Sequence, residues 1–168
     1  VFRTRTQEEM MRRRFKLEED IFVNASQTEL YEAVADVRAM GKYSPECWAV
    51  LGPRGPVAAG RRFIGLNRKG PFIWFTCCRV TCAEAPERFT FDVSTFGLPV
   101  ARWGYRFTPE GGGVRVTESW EDLRTGRGAR LTELLGLLFT GTPAGRRAGI
   151  NRAGMRATLL RLKRAVER

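Results

Sequence analysis

Between residues 61 and 123 the chain runs through successive stretches in which apolar and polar residues alternate with a period of two, separated by short turns that carry glycine or proline. That block restricts the fold to an antiparallel sheet built as a meander, because neighbouring strands joined by tight turns must run in opposite directions. The alternation predicts strands at 61–67, 72–83, 88–96, 100–108 and 114–123, and a short one at 47–51 ahead of the Gly52-Pro53-Arg54-Gly55-Pro56 loop. Asn67-Arg68-Lys69-Gly70 and Gly111-Gly112-Gly113 read as turns, since Asn and Gly tolerate positive φ.

The flanks have a different period. Residues 15–23 alternate as a first strand, with Glu19 in the apolar phase. Ser26 followed by Glu29 forms a capping-box pattern, and Leu30, Val34 and Val37 continue at helical spacing to about Met40, where Gly41 and Ser44-Pro45 end a connector of two short helices. Beyond the strands, residues 131–139 are helical in pattern, Gly141 to Gly145 interrupt, and 147–166 resume with Met155, Leu159, Leu162 and Val166 on one stripe. A single apolar stripe and a sheet with one apolar face imply an α+β domain in which the curved sheet wraps the terminal helix. With 168 residues and 43% apolar composition, one domain over 14–168 is expected, preceded by a basic, flexible arm over 1–13.

Histidine is absent, which removes Ser-His-Asp and Cys-His nucleophiles, histidine metal sites and histidine acid/base steps. Cys47, Cys77, Cys78 and Cys82 lack zinc-site spacing, so no metal is expected. Cys78 and Cys82 stand about 13 Å apart along a strand, beyond disulfide reach, and free thiols predict a reducing, cytoplasmic setting. The net charge of +11 is concentrated at the two ends of the chain. No nucleic-acid-binding motif accompanies it, and it reads as a solvated surface with nucleic acid not expected as a partner. No apolar run is long enough to cross a bilayer.

The most informative strand is Val114-Arg115-Val116-Thr117-Glu118-Ser119-Trp120, whose alternation puts Glu118 on the face of Val114, Val116 and Trp120. A carboxylate there costs several kcal/mol unless it is paired, protonated or wetted by a cavity. Glu118 is therefore a candidate acid/base group, or else the partner of an arginine from the terminal helix, or a residue exposed at the strand end. The same alternation turns inward Phe63, Gly65 and Asn67; Trp74, Thr76, Cys78, Val80 and Cys82; Phe91 and Thr95 with Phe89 and Val93; and Trp103 and Tyr105 with Ala101 and Phe107. Their aromatics suit either a polycyclic ligand or an ordinary core. Glu19 either shares a proton with Glu118 or is bridged by arginine. Glu46, on the Ser44-Pro45-Glu46 loop, either caps a cavity entrance or steadies the loop through Asn67-Arg68.

Taken with this element order, Tyr43-Ser44-Pro45-Glu46, Asn67-Arg68-Lys69-Gly70, Leu98-Pro99-Val100-Ala101-Arg102-Trp103, Arg115-Val116-Thr117-Glu118-Ser119-Trp120 and Asn151-Arg152-Ala153-Gly154-Met155 resemble the START-like (SRPBCC) superfamily, in its actinobacterial polyketide cyclase/dehydrase-like branch. The resemblance implies a helix-grip fold that holds a hydrophobic, polyketide-, aromatic- or lipid-like molecule between sheet and terminal helix. Glu19, Glu46, Phe63, Trp74, Thr76, Phe91, Thr95, Trp103, Trp120 and Met155 are then the ligand-binding candidates. As an enzyme such a protein would carry out aldol cyclisation or dehydration without a cofactor, with Glu118 as base and Tyr105 or Asn67 polarising a carbonyl. The alternatives are a non-catalytic carrier or sensor, and an accessory protein that docks an acidic partner through its basic surface.

Overall fold

The computed structural model describes residues 16–124 and 126–167. The basic arm over 1–13 and Phe15 of the first predicted strand lie outside the described residues. After β1 (Lys16–Val23), Ser26 and Glu29 close the capping box: the Ser26 hydroxyl accepts from the Glu29 N–H at 3.2 Å, and the Glu29 carboxylate accepts from the Ser26 N–H at 3.1 Å. That box starts α1 (Gln27–Ala35).

The helix ends sooner than its pattern suggests. At Asp36 a ψ of 83° takes the chain out of helical space, and a 3-10 turn (Val37–Ala39) leads into α2 (Met40–Tyr43). Gly41, read from sequence as a terminator, lies inside α2. A Cβ there would stand 2.6 Å from the Trp48 carbonyl oxygen of β2 (Cys47–Leu51), so glycine serves close approach rather than termination.

Five further strands follow: β3 (Arg62–Lys69), β4 (Phe72–Glu84), β5 (Arg88–Thr95), β6 (Leu98–Glu110) and β7 (Gly113–Asp122). They form one seven-stranded sheet in the order β1-β7-β6-β5-β4-β3-β2. Every neighbouring pair is antiparallel. The first strand thus pairs with the last, Glu19 opposite Glu118.

Two sequence expectations shift. Asn67 and Arg68 are not turn residues: they pair with Trp74 and Ile73, and the reversal is made by Gly70 (φ +55°) and Pro71 between Lys69 and Phe72. Cys82 leaves the inward phase because Thr81 is an extra residue in β4. Val80 stands opposite Phe91, Cys82 opposite Thr90, and Ala83 opposite Phe89, so Ala83 joins the core in its place.

The last two elements are α3 (Gly126–Thr140) and α4 (Ala144–Val166), both starting earlier than their apolar patterns. Met155, Leu159 and Leu162 bury the α4 stripe, and the helix packs on β1 and β7. α3 lies over β4 and β6. Among the described residues no helix is long and apolar enough to cross a membrane.

Candidate functional site

The concave face of the sheet is occupied unevenly. At one end α1 drives Tyr31 edge-on against Phe89 and Phe107, with ring centroids 6.2 and 6.0 Å away. The remainder encloses a cavity of about 700 Å³, within the usual size range of small-molecule sites. Strands β3 to β7 supply its floor, α4 one wall, and α3 the roof through Thr132, Leu135, Gly136 and Phe139.

Glu118 is only 2% exposed and faces this cavity. Its Oε1 accepts a 2.7 Å hydrogen bond from the Tyr105 hydroxyl, its register partner on β6, while Oε2 is buried without a partner among the described residues. Burial raises its pKa to about 8, opposed by the Tyr105 hydrogen bond. The Tyr105 phenol is held well above its ordinary value, first by burial and then by the adjacent carboxylate. At neutral pH the pair is therefore mostly uncharged, with Glu118 carrying a proton. Trp103 and Trp120, opposite one another on β6 and β7, line the cavity with it, as does Met155 from α4.

Glu19 goes elsewhere. Although it is the register partner of Glu118, its carboxylate is gripped by Arg156 at 2.9 and 3.3 Å and by Arg152 at 3.4 Å, and it does not line the cavity. The two carboxylates form no proton-sharing centre, and among the described residues no arginine bridges them. Asn67 is also remote from Glu118, with three strands between β3 and β7. Its amide donates at 3.2 Å to the Thr76 hydroxyl and at 3.2 Å to the Gly65 carbonyl, and Thr76 continues to the Cys78 sulfur at 3.9 Å. Burial pushes the Cys78 thiol up to about 12 and the Cys47 thiol up to about 11, which leaves both as inert thiols.

Phe63, Phe91 and Thr95 line the floor between these polar groups, Phe63 and Phe91 meeting edge-on at 5.3 Å. Glu46 and Trp74 lie at the mouth. The Glu46 carboxylate accepts from Arg147 of α4 at 2.6 and 3.4 Å, the Arg147 guanidinium stands 6.0 Å over the Trp74 ring, and the Glu46 carbonyl accepts from the Arg68 N–H at 2.8 Å. The sequence reading did not anticipate Arg147, Asn151 or Thr158 as lining residues. A signal was available for Asn151: carried one turn toward its N-terminus, the Met155 stripe lands on this buried polar residue. Among the described residues no cluster of three potential metal ligands occurs.

A curled antiparallel sheet gripping a long C-terminal helix around a largely apolar cavity defines the helix-grip class. The chain belongs to the family described as "Polyketide cyclase / dehydrase and lipid transport", whose model matches residues 14–167. Among solved structures it is similar to the Polyketide_cyc-like protein Cgl2372 of Corynebacterium glutamicum (27% identity, 90% of this chain and 91% of that one, TM-score 0.53). It is similar in fold to protein Ms6760 of Mycobacterium smegmatis (16% identity, 90% of each chain, TM-score 0.61). A third likeness is to StfQ, a di-domain ARO/CYC from the steffimycin biosynthetic pathway (14% identity, 96% of this chain and 54% of StfQ, TM-score 0.66). No curated protein matches the sequence.

Proposed function

We propose that the protein binds a hydrophobic, polyketide-, aromatic- or lipid-like molecule in the cavity, with the neutral Glu118 carboxyl donating a hydrogen bond to a ligand carbonyl or hydroxyl oxygen. The observation that carries this reading is the buried carboxyl of Glu118, a residue that lines the cavity and whose Oε2 has no partner among the described residues. An unmet buried polar atom costs about 1–3 kcal/mol, which a ligand oxygen recovers. Trp103 and Trp120, side by side on neighbouring strands, offer flat surface for an aromatic or conjugated ligand.

In this reading the resting carboxyl carries a proton and serves as acid as well as the base expected from the sequence. In a dehydration it gives its proton to the departing hydroxyl of a β-hydroxy carbonyl compound. The resulting carboxylate takes the α-proton as the C=C bond forms and water leaves, so Glu118 ends as it began. In an aldol cyclisation the ionised fraction takes an α-proton, the enolate carbon attacks a second carbonyl, and the new alkoxide recovers the proton. Tyr105 positions the carboxyl, because its single O–H already points at Glu118. These steps require no cofactor. Four free thiols suit a reducing compartment, and in this reading the protein works in the cytoplasm.

A carrier or sensor is the second reading, favoured by the separation of Asn67 from Glu118 by three strands, which removes one of the two groups expected to polarise a carbonyl beside the carboxyl. Native mass spectrometry of protein from its own host, before and after denaturation, should release a hydrophobic ligand in stoichiometric amount. With related β-keto compounds, Glu118→Gln should abolish turnover and retain binding. Unchanged turnover in that variant rejects the catalytic role, and a bound ligand that the wild type never converts selects the carrier.

A further inference from the structure

The roof helix is apolar on both of its faces. Leu135, Gly136 and Phe139 line the cavity, while Leu131, Leu134, Leu137 and Leu138 on α3 stand between 47% and 66% exposed. A helix hydrophobic all round calls for cover on both sides, and here only the inner side has it. The apolar surface continues onto the sheet: Phe139 lies 6.0 Å from Phe96, which lies 5.9 Å from Phe75, and both Phe96 and Phe75 are exposed, as is Ile73.

The charge around this surface has one sign. Residues 124–147 and the β3–β4 hairpin tip carry Arg124, Arg127, Arg130, Arg146, Arg147, Arg68 and Lys69, against Glu133 alone. Arg124 is neutralised by Asp122 and Arg147 by Glu46. Arg130, Arg146, Arg68 and Lys69 have no carboxylate within ion-pair distance among the described residues.

We infer that the outer leucine face of α3, with Phe96, Phe75 and Ile73, is a docking surface for an anionic lipid bilayer. An amphipathic helix lies in the interfacial plane by sinking leucine and aromatic side chains below the headgroups while arginines meet the phosphates. A second copy of the chain fits less well, since it would press the same uncompensated cations against their own kind. Phe96, Phe75 and Ile73 also line the cavity, so docking sets the roof helix and the cavity's edge against the membrane.

The full chain is tested by co-sedimentation with vesicles of phosphatidylcholine alone and of phosphatidylcholine mixed equally with phosphatidylglycerol. It should bind the mixed vesicles at low salt, release as salt rises, and ignore the neutral ones. The double variant Leu134→Asp/Leu138→Asp, which alters only exposed positions, should unfold at the wild-type temperature yet fall to the neutral-vesicle level. Arg130→Gln and Arg146→Gln should each weaken binding about fivefold. Absence of binding to the mixed vesicles, or equal binding by the leucine double variant, overturns the inference. So does a salt-insensitive dimer that the same leucine substitutions dissociate, which would assign the face to a second copy.

Discussion

The concave face of this sheet carries aromatics from end to end, yet they do two different things. Beneath α1, Phe89 and Phe107 are sealed by Tyr31 and belong to the core. Beneath α3, Trp103 near Glu118 and Trp74 at the mouth border open space. The strands are continuous through both regions, so strand sequence alone does not separate them. The covering element decides: α1 inserts the Tyr31 ring against Phe89 and Phe107, whereas α3 stands off the floor as a roof lined by Thr132, Leu135, Gly136 and Phe139. A packed core and a cavity can thus share one sheet face when one cover presses a ring onto the floor and the other stands off it.

That contrast is broken most directly at the sealed end. Phe107→Ala should cost about 3–5 kcal/mol in denaturant unfolding, through lost burial and the cavity left under Tyr31. The same unfolding experiment on Trp103→Ala should show a clearly smaller loss, because that ring already borders empty space. Equal costs would mean that the two ends are packed alike.

The next effect belongs to Glu118. Its carboxyl holds a proton in the folded chain up to about pH 8 but releases it in the unfolded chain near the ordinary value of 4.5. Between those values the folded state binds more protons. The Glu118 contribution is therefore fully present below pH 4.5, declines as pH rises, and is gone once pH passes about 8. Unfolding free energy should fall by up to about 1.4 kcal/mol per pH unit in that window, and Glu118→Gln should flatten the slope by one proton. A slope identical in both proteins would mean that the carboxyl is hydrated and ionised.

The meander and the inward position of Glu118 were legible in the sequence, because tight turns make successive strands neighbours and alternation reports which face a residue takes. Partners were not legible. Glu19 and Glu118 share register and residue type, but Glu19 lies within reach of Arg152 and Arg156 on α4, a proximity that only the docked helix creates. Cys82 left its predicted face through a bulge at Thr81, which no composition marks. Asn67 was correctly turned inward yet grouped with Glu118, since alternation gives the face but not the distance across the curl. Four strand spacings along the sheet amount to about 19 Å before curvature shortens them.

At the open end, Trp103→Ala should weaken binding of a fluorescent apolar probe such as N-phenylnaphthylamine by a factor of about two to ten, the worth of one aromatic contact. Phe107→Ala, assayed where it remains folded, should leave that affinity unchanged. A reversal of the two would place the ligand against the Tyr31 end.

The smallest effect is expected at the mouth. Glu46 and Arg147 join the loop before β2 to α4, and their side chains are only 21% and 23% exposed. Partial solvation keeps the coupling in a Glu46→Gln/Arg147→Gln cycle to about 1 kcal/mol or less in unfolding experiments. If the pair also acts as a latch, Glu46→Gln should speed both entry and release of the probe in stopped-flow while equilibrium affinity stays constant, because a latch raises the barrier in both directions equally. Loss of affinity without faster exchange would instead make Arg147 a ligand contact and move the polar end of the site from Glu118 toward the mouth.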